Sequence, residues 1–254
     1  MKSDLSGRRI VLTGAGNGIG RATALAAARN GAKVLGTDID EAGLQETLRL
    51  IKEQTPEATA AVEVLDSTDA AAAAEVLGRY AAEWGGLDGL GNIAGKMYMG
   101  MLIDSDLATL EQAFRINVGG MFVMTQAIVP LLADGGVIVN VNSSSAAHVT
   151  PGISLYGSTK AANMYLTQAF SQELADRNVR VCGIGPGAVD TQFPRSVMPA
   201  GEEGEKMLQE SVKHAQTITR LAQPDEIATA INYLLSDDAG YIAGTTLWID
   251  GGSR

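Results

Sequence analysis

Short apolar runs alternate with helix-forming stretches along the chain, and this alternation limits the folds open to it more than any other feature. Strand candidates are Ile10–Leu12, Lys33–Thr37, Ala60–Val64, Gly89–Asn92, Gly136–Asn142, Val179–Ile184 and Thr246–Ile249. Helical patterns fall between most of them, at Gly20–Asn30, Glu41–Glu53, Ala70–Trp84, Leu107–Ala133, Tyr156–Arg177 and Asp225–Leu235. Runs this apolar suit strands buried on both faces, so the sequence predicts an α/β fold with a doubly wound parallel sheet of about seven strands and helices on both faces. No linker, repeat or charge run divides residues 1–254, which are expected to form one domain. Within it, residues 190–216, with Gly201, Gly204 and many charges, read as a mobile lid in which His214 is solvent-exposed.

The first of these strand–helix pairs carries a ligand signature. Arg9-Ile10-Val11-Leu12 is β-branched and apolar, and it runs through Thr13 into Gly14-Ala15-Gly16-Asn17-Gly18-Ile19-Gly20. Good helix formers follow, and Asn30-Gly31 supplies a stop. Glycines let backbone amides approach a pyrophosphate, and a helix N-terminus adds partial positive charge, so the segment reads as a dinucleotide site. The spacing is Thr-Gly-x-x-x-Gly-x-Gly; no register gives G-x-G-x-x-G.

A second signature lies further along. Tyr156 and Lys160 stand four residues apart, on one face of any helix that contains them, and Ser143 lies thirteen residues before the tyrosine. A phenol ionises near pH 10, and a neighbouring cation is expected to lower that value by about 1–3 units, which would make Tyr156 a usable acid or base near neutrality. Tyr-x-x-x-Lys alone is a weak signal, because many solvated helices carry it.

Together these motifs resemble the short-chain dehydrogenase/reductase family over nearly the whole chain. The family's glycine loop matches Thr13 to Gly20, and its Asn-Asn-Ala-Gly segment matches Asn92-Ile93-Ala94-Gly95, with isoleucine in place of the second asparagine. Its helix asparagine matches Asn117, and its catalytic trio matches Ser143, Tyr156 and Lys160. Its late proline-glycine turn matches Gly185-Pro186-Gly187, followed by Asp190-Thr191, and its C-terminal motif matches Asp250-Gly251-Gly252.

The resemblance implies a Rossmann fold and an oxidoreductase in which Tyr156 exchanges a proton with the substrate oxygen. It further implies that Lys160 tunes the phenol and binds the nicotinamide ribose. Ser143 would hydrogen-bond the substrate oxygen, Asn117 would hold a relay water, and Thr191 would orient the carboxamide. The implied dinucleotide contacts are Gly14, Asn17, Gly18, Ile19, Gly20, Asp38, Asp66, Asn92, Ala94, Gly95, Tyr156, Lys160, Pro186, Gly187, Val189 and Thr191. Ile93 and Asn142 depart from the family pattern, but neither is a proton-transfer group, so altered packing and retained activity are expected.

The cofactor expected is NAD. Asp38 follows the second strand where an acid binds the adenosine ribose hydroxyls and repels a 2′-phosphate, and no arginine stands in the loop or beside Asp38 to offset it. Helix capping is the alternative role for Asp38 and for Asp66, which by resemblance would contact the adenine.

The expected substrate pocket comprises Lys96, Met97, Ser145, His148, Phe193 and Met198, with Tyr98, Met99 and Met101 nearby. So many adaptable apolar side chains suit an apolar secondary alcohol or ketone, cyclic or aromatic; Lys96 is the one cation placed to meet a carboxylate. A 3-oxoacyl-thioester reductase using NADPH is the alternative enzyme, and a non-catalytic dinucleotide sensor the alternative class. The sensor reading is weakened because Ser143, Tyr156 and Lys160 are all present.

Net charge of −10 argues against nucleic acid. The lone Cys182 rules out an intrachain disulfide framework, and no metal site is expected. The first strand begins too early to leave room for a signal peptide, and no apolar run approaches the length of a membrane span, so a cytoplasmic protein with no membrane partner is expected. Helices 107–133 and 156–177 carry apolar residues on more than one face, which, with the resemblance, points to a homotetramer.

Overall fold

The computed structural model describes residues 3–253; Met1, Lys2 and Arg254, which the expected domain 1–254 includes, lie outside the described residues. Seven parallel strands form one sheet: β1 (Arg9–Thr13), β2 (Lys33–Asp38), β3 (Ala60–Val64), β4 (Leu87–Asn92), β5 (Leu132–Val141), β6 (Arg180–Pro186) and β7 (Thr246–Ile249). Their order is β3-β2-β1-β4-β5-β6-β7. The order reverses between β1 and β4, and in such sheets ligands bind beyond the strand ends at that switch point.

Both faces of the sheet are covered, which explains the apolar runs. Along β1, Ile10 and Leu12 join a core with the helices α1 (Gly18–Arg29) and α9 (Pro224–Leu235), while Val11 faces the opposite core. That second core is closed by α3 (Ala70–Trp84), α5 (Gly120–Ile128) and α6 (Ser154–Glu173). The remaining helices are α2 (Glu41–Gln54), α4 (Leu107–Phe114), α7 (Gln192–Arg195) and α8 (Glu202–Ala215).

Two expectations need correction. The helix expected over 107–133 ends at Leu131, is widened by a π turn at Arg115–Gly119, and gives way to β5, which begins at Leu132 instead of Gly136. At 25 residues and a mean hydropathy of 1.2, Leu107–Leu131 is long and apolar enough to cross a membrane by length and composition, contrary to the expectation that no run would be. Only a third of its most apolar window is buried. One side packs on the sheet and α3, with Met124 and Ile128 fully buried, while Phe114 and Phe122 stay exposed.

Candidate active site

One cavity of about 710 Å³ runs along the carboxyl ends of the central strands. The glycine loop forms one end. Gly14 has φ +68°, and a Cβ there would lie 2.9 Å from Ala94 N, so the loop can lie this close to the chain after β4 only without a side chain. A Cβ on Gly20 would collide with the Gly14 carbonyl. Thr13 ties the two segments, its Oγ1 accepting hydrogen bonds from Ile93 N (2.9 Å) and Ala94 N (3.1 Å). Asn17 is the N-cap of α1 but makes no side-chain cap bond, and no acid stands in the first turn. The first amides of α1 therefore remain available at the cavity, which Gly14, Asn17, Gly18, Ile19 and Gly20 all line.

Asp38 and Asp66 also line this end, and capping is not their role. Asp40 caps α2 through Gly43 N, and Asp69 caps α3 through Ala71 N and Ala72 N. Asp38 accepts Gly16 N at 2.9 Å and Asp40 N at 3.1 Å, and Asp66 accepts Thr68 N at 2.8 Å. Each carboxylate keeps acceptor capacity beyond these bonds. Arg21, which the sequence reading did not weigh, lies beneath the loop. Its guanidinium donates to the Gly16 and Gly43 carbonyls and to Thr47 Oγ1, so it is bound to backbone and is not part of the cavity lining.

The opposite wall comes from Ala94 and Gly95 after β4 and from Pro186, Gly187, Val189 and Thr191 after β6. Thr191 caps α7 through Phe193 N, and its Cγ2 lies 3.1 Å from where a Gly18 Cβ would be. Asn92 is not in the wall. It is buried behind, donating to Asn140 Oδ1 (2.9 Å) and Thr125 Oγ1 (3.1 Å). An acid at the end of β2, an uncapped helix start and a side-chain-free cradle together fit a dinucleotide.

Ser143, Tyr156 and Lys160 meet at the other end, all lining the cavity although each is buried. Ser143 Oγ accepts Ser145 N at 3.1 Å, which fixes the turn after β5. The Tyr156 ring packs against Phe193 at 5.8 Å between centroids. Lys160 donates from Nζ to the Val141 carbonyl at 2.7 Å and lies 5.8 Å from the Tyr156 ring centroid.

The electrostatics correct one expectation. Burial pushes the Tyr156 phenol up to about 12, opposed only in part by the Ser143 hydroxyl. Lys160 does not offset that rise, and burial pushes the lysine itself down to about 8 from its usual 10.5. Charging a buried amine costs folding free energy: below pH 8 both folded and unfolded forms bind the proton and the full penalty applies, and it fades as pH rises from 8 to 10.5. Lys160→Met removes that pH-dependent penalty but also leaves the Val141 carbonyl without its donor, so the expected signature is a stability difference that shifts toward the wild type as pH rises from 8 to 10.5. Calorimetric melting of both forms across pH 6–10 checks this.

Asn117 sits in the π turn and is not part of the lining. Its amide accepts Lys96 N (2.8 Å) and donates to Lys96 O (3.0 Å) and Thr159 Oγ1 (3.1 Å), clamping the chain after β4 to α6. Ile93 packs against the core that contains Leu12. Asn142 lines the cavity and donates to Thr246 Oγ1 at 3.1 Å.

All six expected substrate-pocket residues, Lys96, Met97, Ser145, His148, Phe193 and Met198, line the cavity, as does Met99. Tyr98 is instead buried behind the wall with Ala113, and Met101 is exposed outside it. The expected lid is built as α7 and α8, joined by Arg195, which pairs with Asp190 at 2.7 Å and Glu205 at 2.9 Å. Met198, Leu208 and Val212 turn from it toward the cavity, and His214 is exposed. No metal-ligating group of three or more occurs among the described residues.

The sequence reading missed a polar seam beneath the site: Thr125, Asn140, Thr159, Asn163 and Thr167, all buried. Its sequence signal was present, since Thr159, Asn163 and Thr167 recur every fourth residue on the sheet-facing side of α6, where aliphatic residues are the rule.

A doubly wound sheet with a dinucleotide cradle at one end and a buried Ser-Tyr-Lys group at the other defines a nucleotide-dependent oxidoreductase. The chain belongs to the short-chain dehydrogenase/reductase family: residues 14–254 match the family model described as Enoyl-(Acyl carrier protein) reductase. It is 38% identical to the 2,3-dihydro-2,3-dihydroxybenzoate dehydrogenase of Escherichia coli K12, over 98% of each chain. It is 32% identical to the 3-oxoacyl-[acyl-carrier-protein] reductase of Thermotoga maritima, again over 98% of each. Among solved structures, a short-chain dehydrogenase from Burkholderia cenocepacia J2315 in complex with NADP is similar at a TM-score of 0.87 and 32% identity, over 98% of each chain.

Proposed function

We propose that the chain is an NAD-dependent dehydrogenase of secondary alcohols, or a reductase of the matching ketones, with an apolar, cyclic or aromatic substrate body. The observation that carries this reading is the joining of Asp38 and Tyr156 by one cavity whose Tyr156 end is lined by Met97, Met99, Phe193 and Met198. The Escherichia coli relative, named for a dihydroxylated ring acid, supports a cyclic substrate. Its named substrate is also a carboxylate, and Lys96 lines this cavity.

The bound nicotinamide supplies hydride transfer. Burial keeps Tyr156 protonated near neutrality, so it carries the proton that a reduced carbonyl oxygen takes up, while making it a weaker acid than a free phenol. In the alcohol direction it must first lose that proton, so oxidation is expected to rise with pH. Ser143 hydrogen-bonds the same oxygen and steadies developing negative charge. Glycine-loop amides, the start of α1 and Asp38 hold the dinucleotide.

A 3-oxoacyl-thioester reductase using NADPH is the second reading, favoured by the Thermotoga relative and by the NADP in the Burkholderia structure. Asp38 and the charge of −10 weigh against it, because an acidic carrier protein would meet an acidic surface.

Absorbance-detected turnover with NAD and NADP, against cyclic secondary alcohols and 3-hydroxyacyl thioesters, separates the readings. NAD-linked alcohol oxidation is the expected result, and NADP-linked turnover of thioesters alone would overturn it.

The reading includes a cytoplasmic homotetramer assembled through α4, α5 and α6, whose outer faces expose Phe114, Phe122 and Tyr165, the last by 72%. Light scattering after size exclusion is expected to give about four times 26.4 kDa. A monomer would refute that assembly.

A further inference from the structure

Asn163 lies three residues after Lys160 on α6 and is 2% exposed. Its Nδ2 donates to the main-chain carbonyl of Asn117 at 2.9 Å. A π turn takes backbone groups out of the regular i→i−4 ladder, and a buried carbonyl loses several kcal/mol of solvation unless some other donor finds it. Here the donor comes from the helix that also carries Tyr156 and Lys160.

The bond is one of a series along a single stripe of α6. Thr159 Oγ1 accepts Asn117 Nδ2 and donates to the Tyr156 carbonyl at 2.7 Å. Thr167 Oγ1 accepts Asn140 Nδ2 at 3.0 Å and donates to the Asn163 carbonyl at 2.7 Å. Aliphatic residues would pack this stripe without needing partners, so the polar choice fixes a particular register of helix against π turn. The position of that turn matters to the site. A Cβ on Gly95 would stand 3.3 Å from Asn117 Oδ1 and 3.6 Å from Lys160 Nζ, so the clamp formed by Asn117 on Lys96 and the Lys160 amine flank the same glycine.

We infer that Asn163 is a positioning residue for proton transfer: its amide pins the Asn117 carbonyl to the catalytic helix and thereby sets Lys160 and Tyr156 against the chain after β4. The inference rests on the dehydrogenase reading for its kinetic consequence but not for its geometry. Asn163→Leu keeps the branching at Cγ with somewhat more bulk, removes the donor and leaves the carbonyl unpaired. Asn163→Ser keeps a shorter donor.

For Asn163→Leu, kcat is expected to fall about 10- to 100-fold, with KM for dinucleotide and substrate held within about twofold, as misplacement of reacting groups costs rate before affinity. The pH dependence of kcat should move with it, and Asn163→Ser should recover part of the rate. A second measurement does not need turnover: titration of the Lys160 amine by NMR in lysine-labelled protein should be displaced by about half a pH unit or more in Asn163→Leu. If the wild type turns over none of the alcohols or thioesters, the dehydrogenase reading fails and the titration alone decides the positioning role. An unchanged Lys160 titration in folded Asn163→Leu overturns the inference, as does an unchanged kcat with an unchanged pH profile, whatever happens to the melting temperature.

Discussion

Tyr156→Phe is expected to lower turnover by about 10²- to 10⁴-fold while leaving dinucleotide affinity within about twofold. The substitution removes one oxygen and keeps the ring, which is 5% exposed and packed against Phe193. The contacts that shape the cavity therefore survive, and what disappears is the phenolic hydroxyl proposed to give its proton to the substrate oxygen. Lys160 is poorly placed to substitute, because its amine is bound to the Val141 carbonyl. Ser143 would remain as a hydrogen-bond donor, so a residual rate above background is expected. Stopped-flow turnover combined with fluorescence-monitored dinucleotide binding checks both halves. A variant that keeps more than about a tenth of the wild-type rate would remove Tyr156 from the proton-transfer step.

The parts of this protein legible in its sequence were those written as local periodicity or fixed spacing. The strand runs were readable because burial on both faces removes polar residues from them, as Ile10, Val11 and Leu12 illustrate by dividing between two cores. The glycine loop was readable because a Cβ at Gly14 or Gly20 would strike backbone. Less legible were features decided by tertiary partners. The π turn at Arg115–Gly119 is met by Asn163 from another helix, a contact 46 residues distant in the chain. The titration of Tyr156 was misjudged because i,i+4 spacing puts a lysine near a phenol but says nothing of how deeply both are buried. Helix 107–131 was underestimated as an apolar segment because its hydropathy comes from two faces, only one of which the sheet covers.

Asp38→Asn is expected to swing the preference between NAD and NADP by about 10- to 100-fold toward NADP. The carboxylate has room for about four hydrogen bonds and gives two of them to Gly16 N and Asp40 N, so two acceptor sites remain for ribose hydroxyls. Charge-assisted hydrogen bonds of this kind contribute about 1.5–3 kcal/mol, which corresponds to roughly 10- to 150-fold in NAD affinity. The same negative charge repels a 2′-phosphate, and among the described residues no cation lines the cavity's adenosine end to offset it, since Arg21 is bound to the carbonyls of Gly16 and Gly43. Asparagine is the informative replacement because its oxygen can still accept one backbone amide, whereas alanine would leave two amides without partners. A Cβ on Gly16 would come within 2.8 Å of Asp38 Oδ2, so loop and acid are packed as one unit. Asp38→Ala should therefore weaken both dinucleotides, and Asp38→Asn should weaken NAD and admit NADP. Comparing kcat/KM for the two cofactors in wild type, Asp38→Asn and Asp38→Ala distinguishes charge from scaffolding. A wild type that already prefers NADP, or an Asp38→Asn variant with an unchanged ratio, would show that the choice between dinucleotides is made elsewhere in the cavity.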